Sequence, residues 1–172
     1  TLISCLFADP VITRKINIQQ ERAFNNEVLR YFRYFRIQTE DVGLSFDEID
    51  NNVVFTASVS SRRNNYEEMI LKTFACIGRV ILGVPDSRLN HDQLFIIPSI
   101  IIVNCDIPVR RDNSYISASA NNKAVVQFTN GVLTAEGFLY ELKGSMTGSF
   151  TSYDKTSIPS ILTADVDFEN LV

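Results

Sequence analysis

The chain has 172 residues, 45% hydrophobic and 21% charged, with a formal net charge of −4. That suffices for one domain with a core of its own and no metal or disulfide staple. The acidic balance argues against a general polyanion binder, whose affinity comes from clustered cations, and no apolar run approaches the roughly 18 residues of a membrane span.

The chain opens on "TLISCLFADP". Leu2 to Ala8 suits a strand ended by Asp9 and Pro10. It is apolar but has no positive flank before it, so it is not an intact signal peptide. A start at Thr1 rather than Met reads as a processed or trimmed fragment.

The first long periodic segment predicts a helix over 17–37. It contains "RYFRYFR" from Arg30 to Arg36, an interleaving of cations and rings seen in nucleic-acid-binding surfaces. At about 100° per residue the two sets part. Phe24, Val28, Tyr31, Phe32 and Phe35 share one arc, the expected core face, while Arg22, Arg30, Arg33 and Arg36 fall on the other side. Tyr34 lies between the two faces, the one ring left beside the cations.

A hairpin follows. Phe55, Ala57 and Val59 alternate with Thr56, Ser58 and Ser60, the period of a half-buried strand. Leu44 and Phe46 belong to its partner, and Asp50, Asn51 and Asn52 make the turn, since Asn and Asp tolerate left-handed backbone. A second helix is predicted over 65–82. Asn65 and Glu68 open it as a capping box, and Gly83 and Pro85 close it. Its apolar arc of Ile70, Phe74, Ile77, Val80 and Ile81 is wide, so the helix should lie buried across the sheet.

After a polar loop comes "LFIIPSIIIVNCDIPV", the most hydrophobic strand, with Pro98 marking a break or edge. "SYISASA" and "KAVVQFT" read as two strands about a turn at Asn121 and Asn122. Thr134 then caps a short helix over 135–143 ended by Gly144, with a continued strand over 132–138 as the alternative. Residues 145–172 are Ser/Thr-rich and then acidic. Ile158, Ile161, Leu162, Val166 and Phe168 are their candidate anchors, and the alternation in "ILTADVDF" suits a strand added to a sheet edge.

Catalytic signals are thin. His91 is the only histidine, beside Asp92 in a polar loop, which removes mechanisms needing two imidazoles and most zinc sites. Thr1 would suit an N-terminal nucleophile, but nothing downstream matches a partner motif. Cys5, Cys76 and Cys105 are too irregularly spaced for a zinc set or a disulfide framework and read as buried apolar side chains. Glu40, Asp41, Asp47, Glu48 and Asp50 cluster without the glycine and terminal glutamate of a calcium loop, and Asp165, Asp167 and Glu169 read as solubilising charges on an exposed strand. No phosphate-binding glycine motif occurs.

These readings converge on a single α+β domain: a mainly antiparallel sheet, two long helices on one face, a short third helix and an extended C-terminal tail. Residues 1–144 form the expected core and 145–172 an extension ordered by packing or strand addition. The expected function is a non-catalytic protein-interaction or assembly module that takes a protein partner or self-associates. The candidate interaction residues are Tyr34, Arg30, Arg33, Arg110 and Arg111. A small-ligand binding or sensing domain is the alternative, and a hydrolase using Thr1 a third. Nucleic acid is disfavoured, since stacking needs exposed rings and the core claims them. No cofactor or metal is expected, and abundant Asn and Ser beside few Lys would suit an exported, extracytoplasmic domain.

Overall fold

The computed structural model describes residues 17–62, 64–83, 96–109 and 112–148. Thr1, Cys5, His91, Arg110, Arg111, the expected first strand and the tail anchors beyond residue 148 lie outside the described residues.

The chain is an α+β domain. Helix α1 (Ile18–Tyr34) leads into strands β1 (Thr39–Ile49) and β2 (Asn52–Ser60), then helix α2 (Tyr66–Ile81). Strands β3 (Ile100–Val109) and β4 (Asp112–Asn121) follow, then helices α3 (Asn122–Thr129) and α4 (Ala135–Ser145) and a two-residue strand β5 (Thr147–Gly148). The sheet runs β1-β2-β3-β4-β5 in chain order. It is mixed: β2 and β3 pair in parallel, and the other neighbours are antiparallel. A parallel pair needs a crossover, and the connection that carries α2 supplies it.

The β1–β2 turn follows from its residues. Ile49 pairs with Asn52, so Asp50 and Asn51 alone make the bend, at φ 50° and 64°. Two left-handed residues in a two-residue loop match the right-handed twist of the flanking strands. Register then builds the core. Phe46 lies beside Phe55, Phe55 beside Ile101, and Ile101 beside Ala120. The next rung runs Leu44, Ala57, Val103, Ala118. Alternate residues Ser45, Thr56, Ser58, Asn104, Ser117 and Ser119 take the opposite face and are half-buried, with Val54 fully buried among them.

Two aromatic groups anchor the helices. Phe24 of α1 meets Phe46 at 5.2 Å and Phe55 at 5.0 Å, both edge-on. Phe138 of α4 stacks on Phe128 of α3 at 4.5 Å and meets Phe74 of α2 edge-on at 5.3 Å. Aromatic pairs in such geometries add about 0.5–1.5 kcal/mol beyond the area they bury. At Gly78 the side chains of Thr129 and Val125 on α3 pack directly against the α2 backbone. A Cβ there would lie 1.9 Å from Thr129 Oγ1 and 3.2 Å from a Val125 methyl.

Several local expectations change. "KAVVQFT" is helix α3, not a strand: Asn121 Oδ1 accepts the Ala124 N–H at 2.8 Å and so caps a helix where a turn was expected. The β-branched Val125 and Val126 tolerate the helix because Ala124, Val125 and Phe128 bury one face of it. The helix over 135–143 forms, capped by Thr134 Oγ1 accepting from Gly137 N–H at 3.1 Å, but it runs past Gly144 to Ser145. Asn65 stands at the N-cap of α2 without capping it. Its Oδ1 accepts instead from Arg62 N–H and Ser61 Oγ, each at 3.1 Å, and holds the preceding loop. Helix α1 stops at Tyr34, three residues short of Ile37, because Arg36 turns left-handed at φ 56°.

Candidate functional site

The outer side of α1 and the strand beneath it carry the candidate surface. Asn17 fixes the start of the helix, its Oδ1 accepting the Gln19 N–H at 2.8 Å. Phe24, Val28 and Phe32 are buried, which sets the rotation of the whole helix. Arg22, Asn26, Arg30, Arg33 and Tyr34 are therefore turned to solvent.

Arg30 is held from two sides. Its guanidinium bonds the Glu27 carboxylate one turn back, and its Cζ lies 5.0 Å from the centroid of the Tyr31 ring. An exposed ion pair of this kind is worth at most about 1 kcal/mol, and a cation–π contact a similar amount, so together they orient Arg30 more than they stabilise the fold. Tyr31 is half-buried on the α2 side of the helix. Burial raises its hydroxyl above the ordinary range, with Arg30 opposing and Glu27 reinforcing that shift. Tyr34 is 71% exposed, its ring edge-on to Phe35 at 4.8 Å. A large ring fixed by a neighbour yet open to solvent contributes contact area with little ordering cost.

Arg30, Arg33 and Tyr34 are thus all exposed on one helix, with Arg33 three and Tyr34 four residues beyond Arg30. Arg110 and Arg111 lie outside the described residues. A small-ligand pocket between sheet and helices would be lined by Tyr31, Tyr34 or Phe55, and these three go separate ways. Phe55 is in the core, Tyr31 is half-buried and Tyr34 faces solvent.

Strand β1 runs below α1 as the outermost strand of the sheet. It is eleven residues long and pairs with β2; among the described residues no strand pairs with its other side. Its register is regular from Leu44 to Ile49 and shifts between Thr39 and Leu44. Asp47, Glu48 and Ile49 are exposed on it, with Asp50 at the turn. This edge could not be read locally, because only the non-local pairing of β2 with β3 leaves β1 outside. Tyr140, at 79% exposure on α4, was also missed. Its signal was the helical phase that buries Phe138, Leu139 and Leu142 and leaves residue 140 outside.

The described thiols are not poised for chemistry. Burial pushes Cys76 up to about 12, with Lys72 and Arg79 opposing. Burial likewise pushes Cys105 up to about 11, against a hydrogen bond with Ser61. Both are protonated at neutral pH, and the thiolate is the nucleophile. Among the described residues no three His, Cys, Asp or Glu side chains gather as a metal set, and no helix is long and apolar enough to cross a membrane. No protein-family model, no curated protein and no solved structure matches the chain.

Proposed function

We propose that the protein is a non-catalytic interaction or assembly module that engages a protein partner along the β1 edge and the adjoining outer side of α1. The observation that carries this reading is the position of β1. Among the described residues β1 ends the sheet, and an eleven-residue end strand offers backbone donors and acceptors that an extended segment can pair with. Tyr34, Arg30 and Arg33, all exposed on α1, supply an aromatic ring and cations, the residue types enriched where binding energy concentrates. The buried, protonated state of Cys76 and Cys105 removes them as nucleophiles and leaves them a packing role.

Site-specific photo-cross-linking in the protein's own host tests the reading. A photoreactive residue replaces Ser45 on the β1 edge, Tyr34 on α1, or the exposed Lys123 on α3 as a control. The expected result is one discrete protein adduct from the first two positions and none from the third. Adducts absent at Ser45 and Tyr34, or equally strong at Lys123, overturn it.

A further inference from the structure

We propose that the seam between α1 and α2 is an anion site that takes a side-chain carboxylate from an acidic segment of the protein partner, gripped by Arg79 and the Tyr31 hydroxyl. This rests on the interaction reading above and names the chemistry of the partner's segment.

The first argument is placement. On α1, Glu27, Tyr31 and Tyr34 recur at the spacing of one helix face, and on α2 Lys72, Cys76 and Arg79 do the same. The two stripes meet. The Tyr31 hydroxyl lies within electrostatic reach of Arg30 and Glu27 on its own helix and of Arg79 and Cys76 across the seam. Lys72 and Arg79 in turn act on Cys76 from either side. Cys76 is buried and makes an apolar floor, while Tyr31, Lys72 and Arg79 are half-buried above it. Charges held in such a place are screened less than those on open surface.

The second argument is charge. Three cations stand at the seam with two carboxylates. Glu27 bonds Arg30 and Glu68 bonds Lys72. Arg79 is left over. Among the described residues no carboxylate pairs with it, and its own helix offers none, because the positions one turn away hold Ala75, Cys76, Leu82 and Gly83. A half-buried guanidinium has given up part of its water without gaining a counter-ion. A carboxylate restores the balance through two parallel N–H···O bonds. The Tyr31 hydroxyl, which burial keeps protonated, can donate to the same group. One cation in excess matches the single charge of a carboxylate better than the nearly double charge of a phosphate monoester. Tyr34, exposed one turn beyond Tyr31, adds apolar contact area beside it.

Residue-resolved NMR titration of the full chain with a short oligoglutamate peptide tests this. Saturable shifts should appear at the Arg79 side-chain N–H and at the amides of 30–34 and 72–79. Arg79→Gln should weaken binding about tenfold or more, and Lys123→Gln, at an exposed cation on α3, should leave it unchanged. Arg79→Lys keeps the charge but not the fork and should also lose most of the affinity; it decides the matter if the glutamine variant fails to fold by circular dichroism. The absence of saturable shifts up to millimolar peptide overturns the proposal, as does affinity untouched by Arg79→Gln. So does equal weakening by Lys123→Gln, which would mean long-range attraction alone. Inorganic phosphate binding at the seam more tightly than the peptide overturns it in favour of a phosphate ligand. In the host, Arg79→Gln should also remove the adduct cross-linked from Tyr34. An adduct that survives sinks this site and leaves the module reading standing, whereas adducts absent at both Tyr34 and Ser45 of the otherwise unaltered protein sink that reading itself.

Discussion

The hydroxyl of Ser145, the last residue of α4, bonds both backbone groups of Ser119 in β4: it accepts the N–H at 3.1 Å and shares its proton between the Ser119 carbonyl, at 2.7 Å, and the Leu142 carbonyl, at 2.9 Å. β5 pairs with Ile116 and Ser117, so the side chain extends the ladder where the β5 backbone has stopped. Ser145→Ala should cost about 1–2 kcal/mol in urea unfolding, since it strips partners from two backbone groups at once. Faster exchange of the Ser119 amide with the far-UV spectrum unchanged would place the loss there.

Gly78→Ala should destabilise by about 1–3 kcal/mol. The new methyl would meet Thr129 Oγ1, which cannot simply swing away because it donates to the Val125 carbonyl at 2.7 Å. In the Thr129→Ala background the same change should cost clearly less. Equal costs in both backgrounds would mean that α3 shifts as a body and the contact is not specific.

Arg36→Gly should stabilise the fold by up to about 1 kcal/mol. A left-handed residue with a Cβ is strained where glycine is not. The backbone there already makes the helix-ending bond, Ile37 N–H to Phe32 carbonyl at 2.8 Å, which the substitution keeps. Thermal melting checks it, and a fall in melting temperature would show that the side chain holds something its exposure does not reveal.

Alkaline pH should unfold the protein through its thiols. Both have folded-state values above their ordinary 9.0, so the native state holds protons that the unfolded chain releases. Their contribution is whole below pH 9 and is lost as pH rises toward about 12 for Cys76 and about 11 for Cys105. Each can steepen the fall by at most about 1.4 kcal/mol per pH unit. Cys76→Ala should flatten the curve over that window, compared by slope and not by level because the smaller side chain also leaves a cavity. An unaltered slope would put the alkaline transition elsewhere.

Short-range chemistry was legible in the amino acids. The rings of α1 declare their face by period, and Phe24, Val28 and Phe32 are buried where that period puts them. The left-handed pair Asp50–Asn51 and the cap at Thr134 follow from side-chain type alone. Helix α3 was misread because valine and phenylalanine favour strands in isolation, whereas its helix is fixed by the cap at Asn121 and the niche that Gly78 opens on α2. The exposure of Tyr34 between ring and cation faces could be anticipated, but the edge position of β1 could not. It depends on Val54 to Ser60 lying beside Ile100 to Asp106, a pairing between segments with residues 61–99 between them.

That parallel pairing also bears on how the molecule assembles in time. β1 with β2 and β3 with β4 can each zip from a local bend within microseconds, but joining the two ribbons must close a far longer loop before any contact rewards it. Their union should set the rate of folding. Substitutions at Ala57 and Val103, which abut across that junction, should slow refolding, whereas changes in the Asp50–Asn51 bend should chiefly hasten unfolding.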